Sequence, residues 1–161
     1  QGEQGPGLDI YYKGAHILHT LKGLIGDEAF YKAIKLLVYG VEDPLPGHFK
    51  PRLVNTDEFI QYVNQVSGKD LQWFFDIYLY QAKLPELKIV KYDNYMQFEW
   101  ITPDNLPFPM PLEVSLNGET RRLTMTDIHS VLISKDDIVI IDPHAKVLRH
   151  QPQIERFRAS K

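Results

Sequence analysis

Apolar residues recur every three to four positions through the first half of the chain and at every second position through most of the rest. Between Asp9 and Ile25 they fall on two neighbouring stripes, Gly14, Leu18, Leu21 and Ile25 on one and Ile17, Leu21 and Leu24 beside it. That is the rhythm of an amphipathic helix. Asp9 suits the N-cap, where its carboxylate can accept from free first-turn amides, and Gly26 suits the stop. Asp27 and Glu28 favour the start of a second helix, whose stripe is Phe30, Ala33, Ile34, Leu37 and Val41. Glu42 to Arg52 holds Pro44, Pro46, Gly47 and Pro51 and reads as a loop. A third helix begins near Asn55 or Thr56, buries Phe59, Ile60, Val63 and Val66, and stops at Ser67-Gly68. Asp70 caps a fourth, with Leu71, Phe74, Phe75, Tyr78 and Leu79 inward, which ends at Lys83-Leu84-Pro85.

Beyond Pro85 the period drops to that of a pleated strand. Leu87 and Ile89, then Met96, Phe98 and Trp100, then Leu112, Val114 and Leu116 alternate with polar neighbours. Asn117-Gly118 is a hairpin turn leading into Arg121 to Met125. Val131 to Ile133 and Ile138 to Ile141 add two short strands, and Lys146 to Arg149 offers a last one. Thr102 to Pro111 is proline-rich and reads as a connection or protected edge. The predicted class is therefore α+β. A helical subdomain of about four helices over residues 8–84 precedes an Ig-like antiparallel β-sandwich over residues 85–150. Residues 151–161 form a tail, with Gln153 to Lys161 a short helix or a frayed end.

Composition narrows the function. With 161 residues, 43% hydrophobic and 12% aromatic, the chain suits one domain or two small ones with packed cores. A net charge of −3, mixed along the chain, leaves no basic stripe for nucleic acid and no polybasic membrane anchor. No run approaches the ~18 apolar residues of a membrane span. The absence of cysteine excludes disulfides and thiolate metal sites and leaves the compartment open. Gln1 to Gly7 lacks the basic and apolar regions of a signal peptide. It reads as a flexible arm or a cut interior loop, and with no initiator Met the expectation is a portion of something longer.

One stretch points to chemistry. Tyr11-Tyr12-Lys13-Gly14-Ala15 opens the first helix and is followed by Leu18-His19-x-Leu21 and Ile25-Gly26-Asp27-Glu28-x-Phe30. Phe49, Thr56-Asp57-Glu58-Phe59, Ser67 to Leu71, Trp73-Phe74-Phe75 and Pro85-x-Leu87 continue in order. Together these pieces resemble the tyrosine-bearing helix and following segments of aminopeptidase N-like zinc metallopeptidases, the gluzincins. The resemblance implies that the helical half is the end of a thermolysin-like catalytic domain. Residues 86–150 look like the sandwich that follows it, with Asp142-Pro143 near its final strand. By the same resemblance Tyr11 is the catalytic residue, donating its hydroxyl to the tetrahedral intermediate of peptide hydrolysis. A phenol is a neutral donor suited to a developing oxyanion, and a helix start favours negative charge. Tyr12 stands where relatives often carry an acid and reads as packing; Lys13 and Gly14 are expected to be structural, the glycine allowing close packing.

Relatives hold zinc with His-Glu-x-x-His and a downstream glutamate, and grip the substrate N-terminus with Gly-x-Met-Glu-Asn. None of these motifs occurs here. The expectation is a fragment of a zinc aminopeptidase that lacks the zinc motif and is inactive alone. Zinc and peptide substrate would belong to the full-length parent, and no cofactor to this chain. The alternative is a non-catalytic interaction or scaffolding module on the same fold. An uncovered apolar face on the first two helices would favour self-association. His16 and His19 share a helix face but lack a third ligand and an intervening glutamate, so polar or packing roles are expected. His48, His129, His144 and His150 are scattered and carry no assigned chemistry, and Asp136, Asp137 and Asp142 fit turns better than a calcium loop.

Overall fold

The computed structural model describes residues 9–47 and 50–152, with side chains from Tyr11 onward. Asp9 as a cap, His48, Phe49 and the tail from Gln153 lie outside the side chains and residues described. The elements are α1 (Asp9–Ile25), α2 (Asp27–Tyr39), α3 (Thr56–Ser67) and α4 (Gln72–Tyr80), then β1 (Glu86–Lys91), β2 (Tyr95–Ile101), β3 (Leu112–Leu116), β4 (Glu119–Leu123), β5 (His129–Leu132) and β6 (Val139–Ile141). The class is α+β, helices first and strands after. Two compact units divide after Phe75, inside α4. No helix among the described residues is long and apolar enough to cross a membrane.

In the helical unit, α1 buries Ile17, Thr20, Leu21 and Leu24. Of the two expected stripes, the one carrying Gly14 and Leu18 is turned outward: Gly14 is exposed and Leu18 is 38% exposed. The reason is area, since Ile17 and Leu24 remove more apolar surface from water than a stripe that includes a glycine. Gly14 is likewise not a close-packing position within the described residues, because a Cβ added there would meet nothing within 4 Å. On α2, Ala33 and Leu36 are buried while Val41 is 51% exposed. The helix ends before Val41, where Gly40 adopts φ 75° and donates its N–H to Leu36 O at 2.9 Å. A left-handed residue there favours glycine.

The loop that follows is tied down by Arg52. Its guanidinium donates to Leu36 O at 3.3 Å, to Glu58 Oε1 at 2.5 Å and to the Tyr62 hydroxyl at 3.4 Å. Glu58 is also the third residue of α3 and completes a reciprocal cap with Asn55, whose Oδ1 accepts the Glu58 N–H at 2.9 Å. One arginine thus joins the end of α2 to the start of α3. Asp70 caps α4 as expected, its Oδ1 accepting from Gln72 N at 3.0 Å. Phe75 meets Phe59 and Phe74 edge-on, at 6.0 and 5.3 Å between centroids. Further along α4, Ile77 and Tyr78 are buried, whereas Leu79, expected inward, is 42% exposed.

In the second unit the strands form two antiparallel sheets, β1-β2-β5 and β4-β3-β6. The registers pair Leu87 with Trp100, Met96 with Val131, Leu112 with Leu123 and Val114 with Ile141. These inward positions from both sheets feed one apolar cluster around Phe98, Leu112 and Met125. The proline-rich connection contributes to the interior: Phe108 and Met110 are buried, Trp100 Nε1 donates to Met110 O at 2.8 Å, and Phe108 lies edge-on to Trp100 and Tyr78. Tyr78 donates its hydroxyl to Leu148 O at 2.6 Å. Burial, reinforced by the Asp142 charge, pushes that phenol far above its ordinary value.

Lys146 to Arg149 is not a strand. Its first amides are taken by Asp142, whose buried carboxylate accepts from Lys146 N at 2.8 Å and Val147 N at 3.1 Å. Those donors are unavailable to a ladder, so the backbone turns and tucks Val147 inside. Asp137 likewise acts in a turn, accepting from Ser134 N at 2.6 Å and Asn117 Nδ2 at 2.8 Å.

Two outcomes follow from these carboxylates. Asp142→Ala strands two amide donors and is expected to lower unfolding free energy by about 2 kcal/mol, read as a lower urea midpoint at unchanged slope. For Asp137, the hydrogen bonds from Asn117 and then Ser134 hold the folded carboxyl below its ordinary 3.8. Its stabilisation is therefore present above that value and lost as pH falls through the lower folded value. The difference in urea midpoint between wild type and Asp137→Ala should be full at neutral pH and shrink under acid.

Candidate functional site

The first turn of α1 carries the candidate. Tyr11 is the third residue of that helix and is 76% exposed; Tyr12 is 63% exposed. A helix advances about 100° per residue, so a residue's face follows from the buried stripe. With Ile17, Leu21 and Leu24 inward, Tyr11, Ala15 and Leu18 stack at i, i+4 and i+7 on a row outside the buried stripe, about 100–160° around the helix from Ile17. Tyr12, His16 and His19 form a second exposed row beside them. The phenol of Tyr11 is thus directed away from the helical core, near the positive end of the helix dipole. That arrangement suits a hydrogen-bond donor to an anionic centre presented from outside.

The junction at the far end of α1 is held by Lys22, whose Nζ lies 3.1 Å from Asp27 Oδ2 and donates to the Tyr31 hydroxyl at 3.2 Å. Both contacts raise its pKa, that from Tyr31 most. This pair is exposed and fixes a local geometry more than it stabilises the fold.

The described histidines lie on several elements. His16 and His19 stay on the outer face of α1, His129 lies on β5, His144 in the turn after β6, and His150 Nε2 lies 3.7 Å from Glu86 Oε1. Among the described residues no three histidine, cysteine, aspartate or glutamate side chains come together as a metal site.

Two hollows in the strand unit escaped the sequence reading. One, of about 220 Å³, lies between the Thr102–Phe108 segment and Met125–Ile128, with Trp100 in its wall. It is below the roughly 300 Å³ at which small-molecule pockets begin. The other is an open hollow of about 750 Å³ bordered by Lys83, Glu86, Asp104 and His150. Its charges of both signs mark no single ligand class. Both hollows involve the proline-rich connection, where no periodicity signals a wall.

No family model and no curated protein matches the chain. Among solved structures it is similar to a Legionella pneumophila aminopeptidase A, determined in complex with aspartic acid, at a TM-score of 0.51 and 20% sequence identity. The likeness covers 83% of this chain and only 15% of that enzyme. At that identity it is a likeness of fold alone.

Proposed function

We propose that the chain is a part of a zinc-dependent aminopeptidase and that Tyr11 is its oxyanion-stabilising donor. The observation that carries this reading is the exposure of Tyr11 at the start of α1, outside the buried stripe. The ordered motif pieces over residues 9 to about 90 and the fold likeness to an aminopeptidase support it.

In this reading, zinc held by other polypeptide would supply the activated water; no residue set described here would hold it. What this chain contributes is a donor. As a water oxygen adds to the scissile carbonyl of a peptide, charge builds on the carbonyl oxygen. The Tyr11 O–H can shorten its hydrogen bond to that oxygen as the charge grows, while keeping its proton. The first-turn amides of α1 lend the same sign of field. Tyr12, about 100° around the helix, faces another direction and has no part in this step.

The outward apolar face fits a partner surface. On α1 it includes Tyr11 and Leu18, and on α2 Tyr31 and Val38, each at least 38% exposed. The segment holding the metal would cover part of it; without that segment, copies of this chain are expected to associate there.

Three outcomes test this. Alone, with zinc added, the chain should hydrolyse a fluorogenic aminoacyl substrate no faster than its Tyr11→Phe variant; clear turnover above that control defeats the claim of inactivity. Joined to a segment bearing His-Glu-x-x-His, Tyr11→Phe should lower kcat by about 10²–10³ with little change in KM. An unaltered kcat removes the assigned role. Light scattering should show oligomers that dissociate on Leu18→Glu, whereas a clean monomer at high concentration opposes the self-association.

A further inference from the structure

The β3–β4 hairpin turns on Asn117 and Gly118, at φ 51° and 91°. Two successive left-handed residues match the twist of the flanking strands, which is why this dipeptide is favoured there. It is also the pair most open to attack by the backbone on its own side chain. Glycine at 118 puts no side chain beside its amide nitrogen, and a Cβ added there would meet nothing within 4 Å.

Asn117 does more than turn the chain. Its backbone N–H donates to Ile138 O at 2.9 Å, its side-chain Oδ1 accepts from Ile138 N at 2.9 Å, and its Nδ2 donates to Asp137 Oδ1 at 2.8 Å. Asp137 is itself positioned by Ser134 N at 2.6 Å. One asparagine therefore latches the hairpin to the segment that leads into β6. Both polar atoms of its side-chain amide are engaged, so rotating the amide carbon toward the Gly118 nitrogen requires both hydrogen bonds to break.

We propose that Asn117 is a deamidation site kept latent by the Asp137–Ile138 latch. When the latch opens, the deprotonated Gly118 nitrogen attacks Cγ of Asn117. The N–Cγ bond forms, the Cγ–Nδ2 bond breaks, and the amide nitrogen leaves as ammonia. Water then opens the cyclic imide at either carbonyl, yielding aspartate or isoaspartate. The sum is addition of one water and loss of one ammonia, with no oxidant or reductant.

The product cannot re-form the hydrogen bond to Asp137. An aspartate at this position has no donor for Asp137 and sets a second carboxylate where a donor stood at 2.8 Å. An isoaspartate also lengthens the backbone within the turn and shifts the pairing of Leu116 with Glu119. Modification thus weakens the latch irreversibly, by the loss of the bond to Asp137.

The test is peptide mapping of residue 117 by mass after incubation at neutral pH, in folding buffer and in unfolding urea. Folded wild type should deamidate at least about tenfold more slowly than the unfolded chain, because two hydrogen bonds must open first. Asp137→Ala, with its fold verified by circular dichroism, should deamidate severalfold faster than folded wild type. Asn117→Asp should lower the urea midpoint. Equal rates in folded and unfolded wild type overturn the proposal whatever the variants do. So does a folded Asp137→Ala that reacts at the wild-type rate, or an Asn117→Asp midpoint equal to wild type.

Discussion

Burial of Ile17, Leu21 and Leu24 sets the rotation of α1 about its own axis, and every assignment on that helix depends on it. A helix has one degree of freedom once it lies on a neighbour, and the largest apolar side chains decide it. Turned by about 100°, the same helix would put Leu18 and Gly14 inward and swing Tyr11 toward the core. The observed choice costs an exposed leucine and leaves Tyr11 and Tyr12 in solvent. The role proposed for Tyr11 needs such a placement, because a phenol committed to an internal acceptor is already spent. Tyr78 is the counterexample within the same chain: its hydroxyl is bound to Leu148 O and surrounded by protein, which keeps it protonated and removed from any reaction.

The other polar anchors hold irregular backbone in place. Arg52 gathers a helix end, a capping glutamate and a tyrosine, and a side chain at Gly40 would press on it, since an added Cβ there lies 2.9 Å from its Nη1. Asp142 gathers two amides and so ends the regular pairing of the second unit. In each case a single charged group takes several backbone or side-chain partners, the arrangement that keeps buried or half-buried polar atoms from being left unmatched.

Much of this was readable from residues alone. Several helix bounds are plain because their signals are local: Gly26 and Gly68 where helices stop, Asp70 where one begins. The expected second stripe ran on to Val41 past Gly40, and the fourth helix stops at Tyr80, short of the expected Lys83-Leu84-Pro85. The change of period at Pro85 announces the strands. What could not be read is what depends on distant partners. The stripe that α1 buries is a comparison of areas against α2 and not a property of its own spacing. Phe108 and Met110 sit in a proline-rich run with no period, so their burial has no local sign. Lys146 to Arg149 has strand-like residues, and only the Asp142 carboxylate reaching forward shows that its amides are engaged. Tyr11 entered through the order of motifs around it; periodicity alone would rank it with any exposed tyrosine.

The strand order carries a last implication. Each sheet is built from two sequence neighbours and one strand of the β5–β6 pair, which divides between them. Neither sheet is complete until the final third of the chain has arrived, and β2 must wait for β5 across about a sixth of the whole sequence length. Such interleaving raises contact order, slows assembly and makes the strand region an all-or-none cooperative unit. A chain cut after β4 would leave both sheets a strand short at the same moment.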